Sequence, residues 1–201
     1  MRTILLTIVV CLAAAGAAIA AWSLNSAEAV DTLSADVRKV IGPEGALVTF
    51  ADNDFQRWRL PQHHRMERFV LAGGDQKYVR LTSLDKLNNK LAKWGDRGLS
   101  FVLPLEFNKK TSGRQVEIGV IARKSKSNPS ANLSLAYATQ QAGNSGWKKF
   151  VLTDAFKLYK FTYTVPAPGT GYKFPPILVV HSDPSGKGHA IELMAAYFRP
   201  L

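Results

Sequence analysis

Cysteine is all but missing. The single one, Cys11, lies inside an N-terminal apolar run. The rest of the chain can therefore form no internal disulfide, which excludes a small disulfide-stapled scaffold and leaves a periplasmic location open. Carboxylates are also scarce: 15 Asp and Glu stand against 26 Lys and Arg, a net charge of +11. Arg2 and Glu28 cancel, so the chain beyond residue 29 keeps all of that excess. A basic surface favours acidic partners, whether nucleic acid, anionic lipid or acidic polysaccharide. No long run of like charge occurs, and a solvated charged surface is the plainer account of the same numbers. There is no internal repeat, no second break in composition and no long helical pattern after residue 40.

What is present starts with residues 1–29. A charged start at Arg2 leads into Ile4 to Leu12, then an Ala-rich run to Trp22, then Ser26-Ala27-Glu28-Ala29. This is the order of a bacterial-type secretory signal with a small-x-small cleavage site. Residues 3–22 carry no charge and are also long enough to span a bilayer uncut. A cleaved signal and a retained inner-membrane anchor both remain open, and both place the domain in the periplasm or outside the cell. Val10 before Cys11 argues against a lipoprotein site. Residues 30–45 read as a linker with a short helix, ending in the turn Gly42-Pro43-Glu44-Gly45.

Residues 46–201 then alternate with a period of two. Val79 and Leu81 alternate with Tyr78, Arg80 and Thr82; Val116, Ile118 and Val120 with Glu117 and Gly119. Leu133, Leu135 and Tyr137 alternate with Asn132, Ser134 and Ala136, and Phe161, Tyr163 and Val165 with Lys160, Thr162 and Thr164. Such alternation places one face on a core and leaves the other polar. Ile191, Leu193, Ala195 and Tyr197 predict the same inward row in the last strand. Leu99 to Phe107 predicts one long strand, with Pro104 marking an edge or bulge. Ala46–Phe50, Arg68–Leu71, Trp147–Leu152 and Ile177–His181 add further strands, bounded by Pro166, Pro168, Gly169, Asp183, Pro184 and Gly186. About nine strands and no long helix predict one all-β domain, an antiparallel sandwich or barrel.

Catalytic patterns are thin. His63 and His64 are adjacent, the wrong spacing for a metal pair. His181 and His189 flank a turn without a carboxylate set around them, a poor metal site. Ser185 is not in a Gly-x-Ser-x-Gly elbow. Glu106, Glu117 and Glu192 fall on predicted strands; an opposed pair would serve a glycosidase, and ion-paired strand carboxylates are the plainer account. Arg123-Lys124-Ser125-Lys126 is a basic loop with no aromatic interleaving and no helix to enter a groove, so nucleic acid is not an expected partner. Sugar recognition needs a flat ring platform and planar polar groups. The outward positions Tyr78, Arg80, Glu117, Arg123 and Asn132 supply them, with Trp94 in the loop before Leu99. Arginines there would suit uronates or other acidic sugars.

The order of several short motifs resembles the jelly-roll carbohydrate-binding modules, a galactose-binding-like β-sandwich group. Asn53-Asp54-Phe55 with Trp58, Tyr78 to Leu81, Gly98 to Phe101, Trp147 to Leu152, Phe161 to Pro166 and Ile191 to Pro200 carry it. The resemblance covers residues 46–201 and implies a jelly-roll sandwich with a polysaccharide or oligosaccharide partner. Many members hold a structural calcium through an acidic residue in the last strand; here Met194-Ala195-Ala196 stands at that place, so no cofactor is expected. The leading expectation is an exported non-catalytic glycan-binding module, directed at an acidic cell-surface polysaccharide. A cell-envelope structural or protein-interaction module, and a polysaccharide-degrading enzyme, are the alternatives.

Overall fold

The computed structural model describes residues 46–49 (backbone only), 57–71, 77–87 and 97–201. The signal or anchor, Cys11, the linker, Asn53 to Phe55 and Trp94 lie outside them.

Among the described residues, eleven strands and one short helix follow in chain order: β1 Ala46–Thr49, β2 Trp58–Arg59, β3 His64–Val70, β4 Lys77–Ser83, β5 Leu99–Val102, α1 Leu105–Thr111, β6 Gln115–Lys124, β7 Asn132–Ala138, β8 Lys148–Val151, β9 Lys157–Thr164, β10 Ile177–His181 and β11 Ala190–Pro200. They pair antiparallel into two sheets. One runs β3-β4-β11-β6-β9, with β1 also on β11; the other runs β2-β5-β10-β7-β8. This is the all-β sandwich that the two-residue period predicts. Val79, Leu81, Val116, Ile118, Val120, Leu133, Leu135, Tyr137, Leu178 and Val180 all lie in the core between the sheets, with Phe161 and Tyr163 packed against it.

The last strand departs from the predicted row. β11 pairs with β6 through a register shift between Leu193 and Ala195. A bulge adds one residue and so reverses the alternation beyond it. Ile191 and Leu193 point into the core, as do Ala196 and Phe198. Met194, Ala195 and Tyr197 instead form a second buried cluster with Ile121 on the opposite side of the sheet.

The predicted strand from Leu99 to Phe107 is also corrected. β5 stops at Val102, and Pro104 caps α1 in an extended conformation (φ −60°, ψ 146°). Proline has no N–H to give a ladder, and its fixed φ suits a helix start. The Phe107 amide donates to the Pro104 carbonyl at 3.0 Å. α1 then buries Phe107 against Phe198 and Tyr137 (ring centroids 5.8 and 6.5 Å). Asn108, fully buried, accepts from the Tyr137 hydroxyl at 2.9 Å. The helix therefore closes one end of the sandwich.

Candidate functional site

Tyr78 and Arg80 leave β4 on the face away from the core, and Phe69 of β3 is the cross-strand partner of Tyr78. The two rings stack at 5.3 Å and 18°. Phe156, just before β9, meets Tyr78 edge-on at 5.9 Å. Arg80 lies over Phe69 at 4.6 Å, and Arg123 lies over Phe156 at 4.2 Å. Cations over ring faces gain from the ring quadrupole and hold the rings in place.

Between the two arginines sits Glu192, fully buried on β11. Arg123 reaches its Oε2 through Nε at 2.7 Å and Nη2 at 2.6 Å, and the Arg80 Nη2 is 3.6 Å from Oε1. The register places Glu192 opposite Arg80 on one side and Arg123 on the other. A buried carboxylate persists only with such partners. Further along the same face, Glu117 takes Lys160 at 2.7 Å, Arg199 at 3.0 Å and the Tyr197 hydroxyl at 2.8 Å. Burial alone would raise the Glu117 carboxyl; the hydrogen bonds from Lys160 and Tyr197 and the charges of Lys160 and Arg199 outweigh it and hold the carboxyl below its usual value. Burial and the hydrogen bond to Glu117 push the Tyr197 hydroxyl up. Glu106 lies on α1 and pairs with Lys109 at 2.8 Å. All three carboxylates thus carry cation partners, Glu117 and Glu192 as strand ion pairs and Glu106, expected on a strand, within the helix instead.

Four of the six residues singled out in the sequence, Tyr78, Arg80, Glu117 and Arg123, share this face. Asn132 does not: it begins β7, in the other sheet. Trp94 lies outside the described residues. Phe69, Phe156 and Glu192 complete the cluster. Phe69 was legible as an alternate position to Met66, which packs on the core.

The structural calcium of the resembling modules does not fit this last strand. Its acidic residue is Glu192, whose oxygens already face two guanidinium groups. Among the described residues no group of three or more His, Cys, Asp or Glu is placed to hold a metal ion.

At the end opposite α1, the sequence pointed to His181 with His189. The structure pairs His181 with His64 instead, ring centroids 5.4 Å apart at 81°. His64 is 5% exposed and His181 1%. Both nitrogens of His64 and Nδ1 of His181 have no hydrogen-bond partner among the described residues. Burial lowers both, and His181 falls to about 4 from 6.5; each histidine or its neighbour adds to this, while Asp85 and Asp183 partly oppose it. A base with a depressed folded value is neutral in the native state and must take up a proton on unfolding in acid. Its stabilisation is complete above 6.5 and declines as pH falls toward about 4. The thermal midpoint should drop by roughly 5–10 °C across that window. His181→Leu should flatten the slope in melts followed by circular dichroism; an unchanged slope would exclude these rings as its source.

No family model matches the chain, and no curated protein matches it. Solved structures do. The first xylan-binding domain (CBM22-1) of Paenibacillus barcinonensis Xyn10C superposes with a TM-score of 0.51 at 13% identity, over 77% of this chain and 92% of that domain. The second (CBM22-2) gives 0.52 at 11%, over 77% and 98%. The chain therefore has the jelly-roll fold of carbohydrate-binding modules.

Proposed function

We propose that this chain is an exported, non-catalytic glycan-binding module that recognises a polysaccharide bearing acidic groups through the Phe69–Tyr78–Phe156 face. The observation that carries the reading is the ring-and-arginine cluster on one sheet face of a fold shared with two xylan-binding domains. Half-buried rings present C–H-stacking surface to a pyranose. The Arg80 guanidinium, held by long contacts to Glu192 at 3.6 Å and to Glu67 at 3.4 Å, keeps donors for hydroxyls or a carboxylate. The excess of 26 basic over 15 acidic residues supports the acidic preference. The apolar residues 3–22 support export, with membrane anchoring as its variant.

Affinity electrophoresis of the full chain through gels holding xylan, glucuronoxylan or heparin tests this. Retardation by glucuronoxylan should survive at physiological salt, where the screening length is about 8 Å. Tyr78→Ala should weaken it at least tenfold. Equal retardation by every polyanion, vanishing with salt, would reduce the result to the basic charge of the surface; no retardation at all would overturn the reading.

A further inference from the structure

A cleft of about 340 Å³ opens at the histidine end of the sandwich, away from the aromatic face. It lies between the start of β7, strand β8 and the β10–β11 turn, and Asn132, Lys149, Asp183, Ser185, Lys187 and His189 line it. That volume is at the small end of the range for ligand sites, about 300–1,000 Å³.

Its one acid is already used. Asp183, 2% exposed, accepts from the backbone amides of Ser185 (3.0 Å), Lys187 (2.9 Å) and His189 (3.0 Å) and from the Ser185 hydroxyl (2.6 Å). Burial would raise this carboxyl, and those hydrogen bonds more than reverse it, so it stays an anion that organises the turn. The turn is pinned from behind: Gly186 has φ +70°, and a Cβ there would overlap the backbone of Lys86. Asn128 fixes its far side through a 2.8 Å bond to the Gly188 carbonyl.

The donors that remain are uncommitted. Lys149 and Lys187 are exposed, and neither ammonium has an ion-pair partner among the described residues. The Asn132 side-chain amide likewise has no hydrogen-bond partner there, and the His189 ring, which lines the cleft, meets Asp183 through Nδ1 at 3.4 Å. A rigid cleft with two free ammonium groups, a free amide and no free carboxylate repels cations and suits one compact anion flanked by hydroxyls.

We propose that this cleft is a second binding site, for a sugar unit carrying a single carboxylate or phosphate group. Lys149 and Lys187 neutralise the anionic group, and Asn132 and His189 take ring hydroxyls. The site shares no residue with the aromatic face.

Isothermal titration of the full chain with glucuronate, glucose 6-phosphate and glucose tests the assignment. At least one anionic sugar should bind ten times more tightly than glucose, and the stronger of the two identifies the anion. Lys149→Gln and Lys187→Gln should each lower that affinity at least fivefold, whereas Lys110→Gln, an exposed lysine of α1 at the other end of the sandwich, should leave it unchanged. Equal affinity for glucose and both anions, or lysine variants that bind like the parent, would overturn it. Failure of the polysaccharide gels together with retained glucuronate binding would remove the aromatic-face reading alone.

Discussion

Arg123→Ala should destabilise the domain by about 3–5 kcal/mol, the usual cost of stranding one member of a buried ion pair. The change removes the two shortest contacts to Glu192, at 2.7 and 2.6 Å. What is left is the Arg80 Nη2 at 3.6 Å and the Lys126 amide at 3.4 Å, too long to replace them. Glu192 itself cannot turn to water, because it is fully buried. The same substitution uncovers Phe156, over which Arg123 lies at 4.2 Å. The double variant Arg123→Met, Glu192→Leu should recover most of the loss, since apolar groups of similar size can replace a buried pair. Urea melts of the single and double variants give the comparison. A double variant as unstable as the single one would show that packing by the Arg123 stem, rather than the stranded charge, sets the cost.

Gly119→Val should cost about 3 kcal/mol and loosen strand β9 from its sheet. Gly119 lies between Tyr197 on β11 and Lys160 on β9. A Cβ at Gly119 would overlap the Tyr159 carbonyl oxygen and come within 2.8 Å of the Lys160 Cβ and 2.9 Å of its Cα. The strands approach here because one of them lacks a side chain. The vacant space lets Lys160 cross to Glu117 at 2.7 Å and lie 6.0 Å from the Tyr197 ring centre. A valine would push β9 outward and detach that lysine, and the denaturation midpoint should fall accordingly. Unchanged amide-exchange protection along Lys157–Thr164 in the variant would mean that the sheet absorbs the methyls without parting.

The faces of β4, β6, β7 and β9 were legible because regular pairing keeps side chains alternating, as in Val79–Arg80 and Val116–Glu117. The turn of β11 at Met194 was not. A bulge is decided by how β6 pairs with β11, and no residue in β11 announces it. Asn132 looked like a companion of Arg123 for a related reason: both are outward, but β6 and β7 belong to different sheets, so their outward sides face opposite ways. The adjacency of His64 and His181 arises from two strands far apart in sequence, and nothing local to either residue encodes it. Glu192 was visible as a strand carboxylate. That it joins Arg80 to Arg123 required the order β4-β11-β6, which only the assembled sheet supplies.

The extra residue at Met194 lets one strand serve two masters. Upstream, odd-numbered positions are interior; downstream, even-numbered ones are. Loss of the Met194 codon would restore strict alternation and keep the final segment facing as it does, with Ala196 and Phe198 toward the core and Ala195 and Tyr197 on the far side, because Leu193 and Ala195 already pair with consecutive residues of β6. The reading frame would survive, and so would every amino acid but one. For a gene under mutation, this makes residue 194 the place in β11 where one codon can be lost without turning the side chains beyond it to the wrong face.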